Sequence, residues 1–379
     1  MVSSKNVLKK IKKVGLSKTY LFLFGGIFFV TLLIVGVFSI SSLNMFVVKY
    51  DSSLAQVKGD EKKLPKKIER KPLDTKLYDE KMLNLANNPV SKEVGTTTAS
   101  TTKLVKTLYP VKTAYPLAGA ILPFHRVIAY YGNFYSKGMG VLGEYPEDQM
   151  IAKLMTEKKN WETEDPETPV MPAIHYIAVT AQGSAGAEGK YILRMPDDQI
   201  EYALRIAEKI QGIVFLDIQV GLSSFRKEIP MLEKFLKLPN VHLGLDPEFS
   251  MKNGKAPGRV IGTMDAADIN YAMEYMAKLV RDNDLPPKIL VIHRFTHDMV
   301  TNYRLIKPLP EVQFVMHMDG WGTPEKKFGT YNNVVAPEPV QFTGFKIFYK
   351  NDLKPPSRGL LTPKELMALS PRPIYIQYQ

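Results

Sequence analysis

The 379-residue chain contains no cysteine. That absence excludes a disulfide framework, a thiolate metal site, a cysteine nucleophile and a lipid anchor on an N-terminal cysteine. Charge is missing from residues 20–48. At about 1.5 Å per residue such a helix exceeds the roughly 30 Å of a hydrocarbon core. Acids are missing before it, where Lys5, Lys9, Lys10, Lys12, Lys13 and Lys18 stand alone. The positive-inside rule then predicts a cytoplasmic tail over 1–19, a single transmembrane helix over 20–48 and an extracytoplasmic remainder. The apolar run is too long for a cleaved signal peptide, and no small-x-small cleavage site follows it. The expected location is a bacterial cell membrane, with the helix serving as a signal-anchor.

A nucleic-acid partner is excluded by where the positive charge falls. The net charge of +12 lies within residues 1–122, which hold 20 basic and 8 acidic residues, whereas residues 123–379 hold 30 of each. No aromatic-interleaved basic motif accompanies the excess. Residues 49–122 mix Lys, Asp, Glu and Pro with a Thr/Ser run at 96–102. Their average composition is too polar to bury a core and predicts a flexible stalk.

The remaining residues carry eight short apolar segments: 127–132, 174–180, 213–219, 241–248, 289–294, 312–319, 342–349 and 374–378. Each is rich in β-branched or aromatic residues and bounded by turn formers. Helical patterns lie between them at 147–159, 196–210, 223–238, 266–282, 296–306, 324–331 and 362–369. Strand–helix alternation implies a parallel sheet wrapped by helices. Eight strands in about 250 residues favour an α/β fold of the (β/α)8 barrel type over an open doubly wound sheet. The sequence stops at the eighth strand, so the usual final helix is missing and residues before Arg126 are expected to close the barrel bottom.

Chemistry in such a barrel sits at the C-terminal ends of its strands. There the sequence places Asp217 and Gln219 on strand 3, Asp246 and Glu248 on strand 4, His293 and Arg294 on strand 5, and His317 and Asp319 on strand 6. Residues two apart on a strand share a face. Four carboxylates and two imidazoles would therefore meet in one basin and shift one another's pKa values, as acid/base chemistry requires. Tyr131, Trp321 and Gln377 join Gln219, His293, Arg294 and His317 as candidate substrate-binding residues. The competing reading makes some of these polar residues helix caps and loop braces.

The segment Gly244-Leu245-Asp246-Pro247-Glu248 resembles the catalytic strand of family-18 chitinases and related glycoside hydrolases. Residues 127–133 (VIAYYGN) and 174–180 resemble that family's first two strands, and Met316-His317-Met318-Asp319 resembles its strand-6 motif. The resemblance implies that Glu248 protonates the glycosidic oxygen, Asp246 orients a substrate N-acetyl group and Asp319 supports developing positive charge. The sequence departs from the family at Gly244, Pro247 and Met318, and no tryptophan ends strand 8. The segments 216–219 and 245–251 also resemble stretches of bacterial secreted and lipid-anchored proteins of unassigned activity. Independently, glycoside hydrolysis needs two carboxyl groups astride one bond, and Glu248 with Asp217 or Asp319 is a candidate pair.

Two glycine-rich motifs fail their structural context. Residues 138–143 spell G-x-G-x-x-G but start several residues past the strand, with no ribose-binding acid downstream. Residues 183–186 do not form a nucleophile elbow. His175, His242, His293, His297 and His317 offer imidazoles for a divalent ion, although H-E-x-x-H and H-x-H are both missing. His242 starts a strand and is expected to be structural. The expectation is therefore a membrane-anchored glycoside-hydrolase-like barrel acting on a cell-wall or environmental polysaccharide without a cofactor. A metal-dependent hydrolase and a non-catalytic glycan-binding or scaffold barrel are the alternatives.

Overall fold

The computed structural model describes residues 70–88 and 108–379, so the predicted tail, the transmembrane segment 20–48 and much of the stalk lie outside the described residues. Among the described residues no helix is long and apolar enough to cross a membrane.

Eight parallel strands form a closed barrel. They are β1 (Arg126–Gly132), β2 (Val170–Ala181), β3 (Ile213–Ile218), β4 (Val241–Leu245), β5 (Lys288–Arg294), β6 (Val312–Met318), β7 (Phe342–Ile347) and β8 (Tyr375–Tyr378). Each pairs with the next, and closure comes from β1 pairing with β8, Val127 opposite Tyr375. Each of the eight expected segments overlaps one of these strands, and β2 starts four residues before the expected 174. Their polar C-terminal residues, such as Gln219, Glu248 and Asp319, leave the ladder and stand in the loops above it.

Period-two alternation sorts the side chains. Ile128, Tyr130, Ile174, Leu216, Leu243, Leu290 and Phe314 face outward and form the core with the surrounding helices. Val127, Ala129, Ala173, Phe215, Val291, Val315 and Phe342 fill the interior. The helices are α2 (Glu147–Glu164), α3 (Asp197–Lys209), α4 (Phe225–Met231), α5 (Glu233–Leu236), α6 (Ala266–Asp282), α7 (Pro324–Thr330) and α8 (Pro363–Met367), with α1 (Thr75–Ala86) preceding the barrel. Helix α2 outruns its expected end because Trp161 is buried there, donating to Tyr378 Oη at 2.9 Å with Arg126 4.8 Å from its ring centre.

Two helical expectations need correction. Residues 223–238 split into α4 and α5, where Pro230 brings no backbone N–H. Residues 296–306 form two 3₁₀ turns around a two-residue strand paired with Met264–Asp265, and Asn302 sits at φ 56°, outside any right-handed helix.

Part of the segment 49–122, expected to be a flexible stalk, packs on the barrel. Helix α1 buries Tyr78, Met82, Leu85 and Ala86 against the N-terminal end of the barrel. Asn87 Nδ2 donates to Leu369 O at 2.9 Å, and Arg372 returns bonds to Leu85 O and Asn87 Oδ1. Backbone N–H groups of Ile121 and Leu122 donate to Gln313 Oε1 at 3.0 and 3.1 Å. Residues 70–88 and 108–122 therefore belong to the barrel unit and close its bottom. His242, at this end, accepts from Ile289 N at 3.0 Å and serves the packing.

Candidate functional site

Above the apolar interior, the inward positions turn polar. A cleft of about 710 Å³ opens at the C-terminal ends of the strands, lined among others by Tyr131, Gln219, Asp246, Glu248, Asp319, Trp321 and Lys346. Phe249, Phe295 and Phe348 supply apolar wall, and Trp321 is 49% exposed.

The strand 4 turn builds the first half of the site. Asp246 caps a 3₁₀ turn of Pro247–Phe249, accepting from Glu248 N at 3.0 Å, while its other oxygen receives Gln219 Nε2 at 3.3 Å. Gln219 is itself fixed by Ala181 N donating to its carbonyl oxygen at 3.0 Å. This arrangement aims Glu248 into the cleft. Burial raises Glu248 to about 7, with the Asp319 charge adding to the rise. Burial likewise holds Asp246 well above the usual carboxylate range.

The second half is Asp319, placed in the cleft by the end of β6. His293 Nδ1 stands 2.8 Å from its Oδ2, and Lys346 Nζ stands 3.0 Å from its Oδ1. Burial alone would raise Asp319, but Lys346 and His293 outweigh it and hold the carboxylate ionised, well below its ordinary range. Lys346 was not foreseen in the sequence. It is 3% exposed, with its ammonium 3.9 Å from the ring centre of Tyr131.

Below the cleft lies a buried layer. Asp217 receives Tyr131 Oη at 3.0 Å on Oδ2, and His175 Nε2 and His293 Nε2 lie 3.2 and 3.3 Å from Oδ1. Burial pushes Asp217 up, yet the two imidazoles more than offset this and hold it below the normal range. For His293, burial opposes protonation, but Asp217 and Asp319 prevail and raise it to about 10. Burial lowers His175 to about 4 and His317 well below its usual value. Gln377 Nε2 lies 3.1 Å from His175 Nδ1 and donates to Tyr375 Oη at 3.0 Å.

The expected site residues thus fall into three groups. Glu248, Asp246, Asp319, Tyr131, Gln219 and Trp321 share the cleft. Asp217, His293, His317 and Gln377 are fully buried and do not line it, which corrects their assignment as residues that reach substrate. Arg294 points to the opposite face from His293, donating to Thr296 O, His297 O and Val300 O, and so braces the loop after β5.

Two glycines of the 138–143 motif receive a packing explanation. A Cβ at Gly140 would stand 2.3 Å from Tyr131 O and one at Gly143 2.4 Å from Asn133 O, so these glycines let the loop lie against β1. Gly244 departs from the chitinase motif for a similar reason. A Cβ there would stand 2.4 Å from both Asp217 Oδ1 and His175 Nε2. An acid at position 244 would have no room beside Asp217 and His175 of the neighbouring strands.

No family model and no curated protein matches the sequence. Among solved structures, a ruminal GH26 endo-beta-1,4-mannanase matches at 12% identity and a TM-score of 0.33, covering 67% of this chain and 58% of that one. Plasmodium falciparum HPPK-DHPS with pteroate matches at 8% and 0.30, covering 67% and 44%. GH26C from Muricauda sp. matches at 10% and 0.29, covering 66% and 70%. The chain spans less than two thirds of the first two, and likenesses at this level carry no argument about its chemistry.

Proposed function

We propose that the chain is a membrane-anchored, extracytoplasmic glycoside-hydrolase-like protein that acts on a cell-envelope or environmental polysaccharide by carboxylate acid/base catalysis. One observation carries this reading: two carboxyl groups of one cleft are driven apart in pKa. Glu248 is raised to about 7 by burial and Asp319, whereas Asp319 is paired with Lys346 at 3.0 Å and kept ionised. Such a separation is how one site supplies both an acid and a stabilising carboxylate near neutral pH.

In this reading Glu248 gives its proton to the glycosidic oxygen as the anomeric C–O bond breaks. The bonding pair leaves with that oxygen, and Asp319 stabilises the positive charge developing on the sugar. Water then adds to the anomeric carbon and returns a proton to Glu248. Asp246 is a positioning residue, because both of its oxygens already receive protein N–H groups. Trp321 offers a stacking face for a sugar. Asp217, one layer below, does not serve as the second carboxylate. The apolar segment 20–48 and its lysine flank support the anchor and the outward placement.

The test is product release from peptidoglycan, chitin oligomers and a mixed polysaccharide panel by the full chain in detergent, beside Glu248→Gln and Asp319→Asn. Reducing ends released by the parent and lost in both variants are expected. A folded parent that binds a glycan but releases nothing from it would refute catalysis and leave a binding barrel.

A further inference from the structure

The buried layer beneath the cleft has more polar capacity than its hydrogen bonds consume. His175 Nε2 and His293 Nε2 both converge on Asp217 Oδ1, at 3.2 and 3.3 Å. One atom from each of the three residues lies within 4.8 Å of the others, and all three residues are fully buried. His293 Nε2 has no hydrogen-bond partner despite its proximity to Asp217, and neither ring nitrogen of the fully buried His317 has one. The His317 ring centre lies 5.1 Å from that of His293. Unpartnered buried nitrogens are costly unless something else completes them.

The spacing indicates what completes them. At metal–ligand distances of about 2.0–2.2 Å, neighbouring ligand atoms around a tetrahedral ion stand roughly 3.3–3.6 Å apart. The two nitrogen–oxygen separations, 3.2 and 3.3 Å, lie at the short end of those edges. The outer supports are of the kind that orient metal-bound histidines. His293 presents its other nitrogen to Asp319 at 2.8 Å, and His175 presents its own to Tyr375 Oη. Asp217 keeps Oδ1 for the ion because Tyr131 occupies Oδ2. Room comes from two inward-facing glycines: a Cβ at Gly244 would collide with Asp217 Oδ1 and His175 Nε2, and one at Gly344 would stand 2.6 Å from His317 Nδ1.

We infer that His175, Asp217 and His293 bind one divalent transition-metal ion, Zn²⁺ by their ligand chemistry, with His317 beside the open fourth position. Two imidazoles and a single carboxylate favour Zn²⁺ over Mg²⁺ or Ca²⁺, which take oxygen ligands. The ion lies one side-chain layer below the cleft, joined to it through Tyr131 and Asp319. This inference concerns occupancy and not turnover: a bound ion would take the place of the proton on His293 Nε2, and Lys346 would still pair with Asp319 at 3.0 Å.

The test uses the full chain in detergent, stripped with chelator and titrated with Zn²⁺ by calorimetry, with Mg²⁺ as a competitor. Expected are one Zn²⁺ per chain, a Kd below about 1 µM, no competition by Mg²⁺, and weakening on the order of 100-fold or more in Asp217→Asn. His297→Gln, which alters an exposed histidine outside the cluster, should bind as the parent does. X-ray absorption at the zinc edge of the loaded parent should report at least two imidazole ligands, a readout that needs no variant to fold. Failure to bind Zn²⁺, a zinc edge without imidazole, or a folded Asp217→Asn that binds as tightly as the parent would overturn the assignment.

Discussion

A single methyl group added at Gly244 tests whether the interior of the barrel is as rigid as its contacts imply. In open space, Gly→Ala within a strand would stabilise by roughly 0.5–1 kcal/mol through chain entropy. Here the new Cβ stands 2.4 Å from Asp217 Oδ1 and from His175 Nε2. Neither atom is free to retreat. Asp217 is held by Tyr131 and His293, while His175 stacks on Phe215 at 5.1 Å and contacts Tyr375 and Gln377. Overpacking a core costs about 1–3 kcal/mol, and two immovable neighbours place this site at the upper end. The net expectation is destabilisation of about 2 kcal/mol, or a fall in Tm of roughly 3 °C for a domain of this size. Differential scanning calorimetry of parent and Gly244→Ala measures it. An unchanged or higher Tm would show that Asp217 and His175 can move aside, and the account of Gly244 as a forced glycine would be wrong.

The remaining predictions concern other layers of the molecule. Gly329 of α7 has nothing within 4 Å of its would-be Cβ, so Gly329→Ala should stabilise by about 0.5–1 kcal/mol in the same assay, and a lower Tm would contradict it. Glu248 is raised from 4.5 to about 7, so its folded state holds the proton longer than the unfolded chain. The parent should therefore lose stability relative to Glu248→Gln as pH rises from about 4.5 to 7, by at most about 3 kcal/mol, and parallel melting profiles across that range would refute the shift. Lys327 and Asp352 form a buried pair at 2.6 Å, and Asp352 also accepts from Gly322 N and Phe348 N. Asp352→Ala should cost about 3–5 kcal/mol by denaturant unfolding, because Lys327 is left buried without its partner; a change under 1 kcal/mol would argue for water at the pair. Met82→Ala should cost about 2–5 kcal/mol if α1 is integral to the barrel, whereas an unchanged midpoint would mean that the helix docks without contributing.

Strands and the carboxylate rim were legible because their signals are local. Each barrel strand carries its own apolar run, and α6 matches 266–282 at both ends, with Asp265 and Asp268 forming its capping box. What escaped depends on partners far along the chain. Lys346 lies in a segment that reads as plain apolar strand, and only the neighbouring Asp319 gives its ammonium a reason to be buried. Parity offered a usable clue, since Phe342, Gly344 and Lys346 share the inward face. The same rule separates His293 from Arg294, which cannot both face the basin. His175 drew attention only as one of several histidines, and its tie to Asp217 is a property of adjacent strands. Helix α1 was hidden by averaging: Tyr78, Met82 and Leu85 follow helical spacing within a stretch whose overall composition is polar.

The pairing of β1 with β8 bears on how the chain reaches its native state. Val127 meets Tyr375 across 248 positions of sequence, so the barrel strand synthesised after the other seven is the one that seals the sheet. Until residues 375–378 arrive, β1 and β7 each present an unpaired ladder of backbone donors and acceptors, the kind of edge that recruits strands from other molecules. Arg372, three residues before β8, reaches Leu85 O and Asn87 Oδ1 at the end of α1, so the segment that delivers the final strand docks on the earliest described helix. Deleting residues 375–379 would therefore leave a seven-stranded sheet with two adhesive rims, and aggregation during synthesis would precede any loss measured at the cleft.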